Sequence, residues 1–311
     1  MQMSLSLATQ IGAMFIMVII GYILIKLEVV SIREIRILSL IVLYVGAPCA
    51  IVNSFLIELT ADRLKGFLLA IGAAVVVHVV YLLLSEIFGC LHHFNSVEKM
   101  STVYSNSGNL IIPLVTLVLG EEMVFYCSGY MIVQTILMWT HCKISISEER
   151  DFDIKKIIFS INMLAIYLGA FLCLTHMTLP TMIASSMKMM AGTMAPLSMF
   201  VIGMLLADMD LVESLSQLRP YLVCFYRLIV FPMVIMLIIL VSGVTRWIPD
   251  AGQILMISML SASAPVASTV AQFAQLYHKH EFDASVINGL SILLCIVTMP
   301  AINVLYNILF L

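Results

Sequence analysis

The sequence predicts an all-α polytopic membrane protein, with ten transmembrane helices in two inverted five-helix repeats and with helices 4 and 9 broken and crossing. Three observations predict it. The chain is 62% hydrophobic and 11% charged over 311 residues, where soluble domains average about 25% charged residues. Apolar runs fall at about 7–25, 35–57, 64–89, 98–119, 122–142, 157–178, 182–206, 220–243, 252–276 and 285–310, each near the roughly 20 residues that a bilayer demands. The fourth and ninth runs carry polar and helix-breaking residues inside them.

Composition sets the solvent. A soluble fold of this size could not hide so much apolar surface, so the chain lives in a bilayer. The net charge of −3 implies no nucleic-acid partner. Of the seven cysteines none forms a CxxC pair, which argues against zinc and against a disulfide framework. No cofactor is expected. The N-terminal MQMSLSLATQ has no Lys or Arg, so the first apolar run reads as a retained span rather than a signal peptide. The 23 methionines read as adaptable filler between helices.

Loop charges set the orientation. With the N-terminus outside, inside loops hold Lys26, Arg33, Arg36, Lys99, Lys143, Arg150, Lys155, Lys156, Arg219 and Lys279, and outside loops hold Arg63, Lys65, Lys188 and Arg246. Both termini are therefore expected outside, and the N-out ten-span design with short loops points to a bacterial plasma membrane.

Each half repeats the other. Gly21 in IIGYIL is followed 148 residues later by Gly169 in YLGAFL, and Pro48 in GAPCA at the same offset by Pro196 in MAPLS. Spans 4 and 9 then correspond. The repeats are expected at 1–143 and 157–311, joined by a cytoplasmic loop at 144–156. Five spans per repeat is an odd number, so the second copy is upside down. Inverted repeats with interrupted helices in matching positions point to a secondary transporter's binding site.

The interruptions are SNSGNLIIP at 105–113 and SASAP at 261–265. A proline removes a hydrogen bond to the carbonyl four residues back, so Pro113 is expected to free Asn109 and Pro265 to free Ser261. Irregular backbone survives in a membrane only against protein or a water-filled cavity. Breaks lying side by side would form a midplane pocket lined by Asn106, Ser107, Gly108, Asn109, Ser261, Ser263, Ser268 and Thr269. Such a pocket is rich in donors and free of acidic side chains, which suits a small carboxylate. Small and amide residues also glue membrane helices together.

At these residues the chain resembles the auxin efflux carrier family, including its bacterial malate-permease-like members. The resemblance covers essentially the whole chain. It rests on N-x-G-N-x-x-x-P from Asn106 to Pro113, the small-residue break around Pro265, and Ala-Pro in spans 2 and 7. It implies a fold similar to bile-acid sodium symporters, with a scaffold of spans 1, 2, 6 and 7 and a transport domain of spans 3–5 and 8–10. It also implies elevator-like alternating access and substrates such as malate, malonate or indole-acetate. Two departures stand out. Asn162-Met163 replaces the Asn-Pro frequent in the family, and the loop between spans 5 and 6 is only about a dozen residues.

Other polar residues within spans are candidates for charge pairing or coupling. Arg227 is expensive in a bilayer; it either meets a substrate carboxylate, pairs with Glu86, or snorkels to the inner surface. Glu86 is an interfacial charge or a proton-coupling carboxylate. His78 is a proton relay or a packing residue. Gln134 reaches the crossing or bonds a neighbouring helix. His92, His93, His278 and His280 lack companions at metal-ligand spacing. Coupling to H⁺ or Na⁺ is open, as is a homodimer through the scaffold helices. Competing functions are a channel or substrate sensor using the same pocket, and an intramembrane hydrolase built on Ser-rich SNSGN and His78, which lacks G-x-S-x-G.

Overall fold

The computed structural model describes residues 16–148, 154–208 and 218–310. The expected start of span 1, at 7–15, and the centre of the 144–156 loop lie outside these residues. All regular structure among the described residues is helical. Among the described residues six helices are long and apolar enough to cross a membrane: Ile37–Ser54, Ala61–His92, Glu121–Ser147, Thr181–Ala207, Leu218–Ser242 and Glu281–Phe310. Ile16–Lys26, Ile161–Leu174 and Ala251–Ser263 are shorter apolar helices. Run 98–119 is divided between helices Ser96–Val103 and Ile112–Val118.

Helix Ala61–His92 shows what the solvent is. Val76, Val79, Leu83, Ile87 and Leu91 form one exposed stripe at helical spacing, and Ala70, Ala74, Val77, His78, Tyr81 and Ser85 form the buried opposite stripe. The polar side chains of His78, Tyr81 and Ser85 point inward, and the exposed stripe is entirely branched aliphatic. Water would select the reverse; hydrocarbon selects this.

The chain divides into two compact units. The described parts of the first lie within Met1–Phe67, Gly108–Ser128 and Ile158–Met209, and those of the second within Leu68–Ser107, Gly129–Ile157 and Asp210–Leu311.

Glycine sets helix approach in the first unit. A Cβ on Gly21 would collide with the carbonyl of Phe200, and one on Gly203 with the carbonyl of Val18. Helices Ile16–Lys26 and Thr181–Asp208 therefore touch backbone to backbone. A Cβ on Gly169 would lie 2.8 Å from the ring of Phe55. The two glycines that mark the sequence repeat are thus used reciprocally: Gly21, near the start, packs on the second half, and Gly169, in the second half, packs on the first. Phe55, Phe67 and Phe125 cluster beside this contact, with ring centroids 4.8–6.3 Å apart. A polar rim joins Arg63 to Glu122 at 2.8 Å and Asn53 to Glu121 at 3.2 Å.

Proline accounts for most of the helix irregularities. Wide π turns occupy Val42–Gly46, Ser107–Ile111 and Tyr226–Val230. Each leads into a helix with proline in its first turn: Pro48, Pro113 and Pro232. A widened turn relieves the clash between the proline ring and the carbonyl four residues back. A fourth π turn, Met138–Cys142, has no proline to explain it. Pro196 lies inside its helix without such a turn, so the repeated Ala-Pro pair has different consequences in the two halves.

The backbone contact at Gly203 yields a prediction. Gly203→Ala forces a methyl group onto the Val18 carbonyl and should destabilise the protein by about 1–3 kcal/mol. Thermal unfolding in detergent reads this as a melting temperature several degrees lower; an unchanged melt would contradict the contact.

Candidate functional site

The two interrupted runs meet within the second unit. Helix Ser96–Val103 begins with a capping box: Asn95 Oδ1 accepts from the Glu98 amide at 2.9 Å, and the Asn95 amide donates to Glu98 Oε2 at 2.8 Å. Arg219 pins this end by an ion pair to Glu98 and by donating to the His93 carbonyl at 2.5 Å. The helix stops at Tyr104, whose backbone is extended. Helix Ala251–Ser263 likewise stops at an extended Ala264. Helix Ser268–Leu276 then restarts after Ala267.

Between these helices the two stretches pair antiparallel. The Asn106 amide donates to the Pro265 carbonyl at 2.9 Å, and the Ala267 amide donates to the Tyr104 carbonyl at 3.0 Å. Ser105 and Val266 are the facing residues.

Side chains satisfy further backbone groups of the breaks. Gln134 Nε2 donates to the Ser105 carbonyl at 2.7 Å, and Ser105 Oγ donates to Gln134 Oε1 at 2.7 Å. The Val266 amide donates to Ser291 Oγ at 3.0 Å. Tyr81 donates its hydroxyl to the Ala262 carbonyl at 3.0 Å. Arg227 Nη1 faces the carbonyls of Thr102 and Val103, each at 3.4 Å. The guanidinium also lies 5.3 Å from the centre of the Tyr81 ring. A cation at the C-terminal end of Ser96–Val103 complements the partial negative charge there.

The expected site residues are thus distributed as follows. Ser105, Ser107, Ser261 and Ser263 are buried, and Asn106, Ser268 and Thr269 are half-buried. Ser263 donates to the carbonyls of Met259 and Leu260 in its own helix, at 2.9 and 3.2 Å. Gln134 reaches the crossing, where its amide locks Ser105. Pro265 lies in the break itself, and the carbonyl satisfied from the side is that of Ala262 rather than Ser261. Pro113 lies downstream of the break, in the first turn of Ile112–Val118. Gly108 and Asn109 lie in the π turn Ser107–Ile111, and the side chain of Asn109 is outside the described residues.

Arg227 is fully buried and does not reach the surface. Glu86 pairs instead with Lys99, at 2.6 Å, in an exposed position. His78 is buried, with Nδ1 2.7 Å from the Ala74 carbonyl. Among the loop histidines, His92 Nε2 lies 2.8 Å from the Tyr226 hydroxyl and His278 Nδ1 lies 2.8 Å from Glu281. Tyr81 and Ser291 escape a sequence reading. A tyrosine or serine inside an apolar run carries no sign that its hydroxyl serves a distant backbone.

Inward polar faces, lipid-facing aliphatics and paired helix breaks define a multi-pass, all-helical membrane protein. The membrane transport protein family matches residues 7–151 and 145–303. The chain belongs to this family, that of the auxin efflux carriers, whose members are transporters rather than enzymes. No curated protein matches the chain significantly.

The reciprocal bonds of Gln134 are testable. Gln134→Leu strands the buried carbonyl and hydroxyl of Ser105, at a cost of about 1–3 kcal/mol. Adding Ser105→Ala should cost less than the sum of the single changes, because the partners share one interaction. Thermal unfolding of the two single variants and the double variant checks this; strict additivity would contradict the coupling.

Proposed function

We propose that this protein is a secondary transporter, a permease that moves a small organic anion such as malate or another carboxylate by alternating access. The observation that carries this reading is the antiparallel pairing of two interrupted helices, with Asn106, Ser268 and Thr269 half-buried beside it. Satisfied non-helical backbone at the middle of broken spans is what a membrane binding site requires. Amide and hydroxyl groups there offer hydrogen bonds to a carboxylate without a repelling charge.

In this reading ten spans cross the membrane as two inverted repeats, which the reciprocal use of Gly21 and Gly169 supports. The unit holding the crossing is the transport domain, and the unit built on helices Ile16–Lys26, Ile161–Leu174 and Thr181–Asp208 is the scaffold and the surface for any homodimer. The protein resides in the plasma membrane with both termini outside. Movement is coupled to a proton or sodium gradient, or driven by the membrane potential.

Uptake and counterflow of labelled malate, malonate and citrate in proteoliposomes test the proposal. The wild type should give saturable flux. Asn106→Ala should lower kcat/KM roughly 10- to 100-fold, as expected for losing one hydrogen bond to a charged group. The same assay on Asn109→Ala tests the other amide of the motif. No saturable flux of any of these anions, or full flux in both variants, would overturn the reading.

A further inference from the structure

The guanidinium of Arg227 is used on one edge only. Nη1 is taken up by the carbonyls of Thr102 and Val103, at long distances of 3.4 Å. Among the described residues Nε and Nη2 have no hydrogen-bond partner, although the side chain is fully buried. These two N–H groups point the same way and form the fork that grips a carboxylate with two parallel hydrogen bonds.

Charge balance leads to the same place. Arginine stays ionised in proteins, and an uncompensated charge at membrane depth is expensive. Among the described residues no carboxylate pairs with Arg227. The end of helix Ser96–Val103 contributes at most about half a negative charge, and the Tyr81 ring contributes a weaker attraction. Among the described residues no full counter-charge faces Arg227. One turn before Tyr81, the ring of His78 lies 5.1 Å from that of Tyr130. Among the described residues His78 Nε2 is also buried without a hydrogen-bond partner, so this region has spare polar capacity in two side chains.

We infer that the Nε/Nη2 edge of Arg227 is an anion subsite that receives a carboxylate group of the transported solute, immediately behind the crossed breaks. The inference rests on the carboxylate transport proposed above and adds the residue that supplies the positive charge. The edge is sealed from solvent in this structure, so a ligand reaches it when neighbouring side chains part.

The test is thermal unfolding of the purified protein in detergent, titrated with malate, malonate or acetate against chloride at matched ionic strength. The wild type should show a saturable rise in melting temperature with at least one carboxylate. R227K keeps a positive charge but lacks the fork, and should lose that rise. In proteoliposomes its kcat/KM should fall roughly 100-fold. If R227K does not accumulate, ¹⁵N-arginine spectra of the wild type replace it: the slowly exchanging Nε–H of buried Arg227 should shift on titration with the same anion. No saturable response in the wild type, a full response in R227K, or an Nε–H signal indifferent to the anion would each overturn the subsite. The two readings separate cleanly. Flux without anion protection through Arg227 removes the subsite alone; protection lost in R227K, with no flux in any assay, removes transport and leaves the subsite.

Discussion

Two backbone hydrogen bonds, from Asn106 to the Pro265 carbonyl and from Ala267 to the Tyr104 carbonyl, hold together a place where a membrane protein should be weakest. A helix that stops inside hydrocarbon leaves donors and acceptors that no lipid can satisfy, and each costs several kcal/mol. Neither break is tolerable alone. Together each supplies what the other lacks, so the fold must bring residues about 160 positions apart in sequence into one antiparallel pair.

The surrounding side chains extend that solution. Gln134 and Ser291 complete the extended segments, each from the long helix that follows its own break in the chain. Tyr81 and Arg227 serve the ends of the preceding helices, and each reaches across to the break of the opposite half. The guanidinium of Arg227 then lies over the Tyr81 ring. This exchange parallels the reciprocal glycine contacts of the first unit. These contacts tie down backbone of both breaks, and the side chains of Asn106, Ser268 and Thr269 lie half-buried beside them.

The solvent, the helical class and the two interruptions were legible because they depend on composition and on local residue type. The position of the first break was less so. Pro113 drew attention to Asn109, but a proline is well placed in the first turn of a helix, and the chain answers it with a π turn at Ser107–Ile111. The break falls upstream, at Tyr104–Asn106, because that is where the extended segment of the other break lies. Tertiary pairing chose the residue, and no local signal carries it. Pro265 gave a better guide because it occupies the extended segment itself. Arg227 was recognisable as costly, but its contacts with Thr102 and Val103 depend on a helix more than a hundred residues away. Glu86 is one candidate partner in the sequence and is taken by Lys99 in the fold.

Cross-linking tests the central claim most directly. Ser105 and Val266 face each other between the two backbone bonds rather than sharing them, which makes them a non-hydrogen-bonded pair with Cα atoms about 4.5 Å apart. That spacing suits a disulfide. Ser105→Cys/Val266→Cys, in a background with the seven native cysteines replaced, should oxidise in membranes to a single intramolecular link that joins the two peptides in mass spectrometry. Two thiols that remain open to alkylation under the same oxidising conditions would mean that the breaks do not pair, and the site built on them would fall.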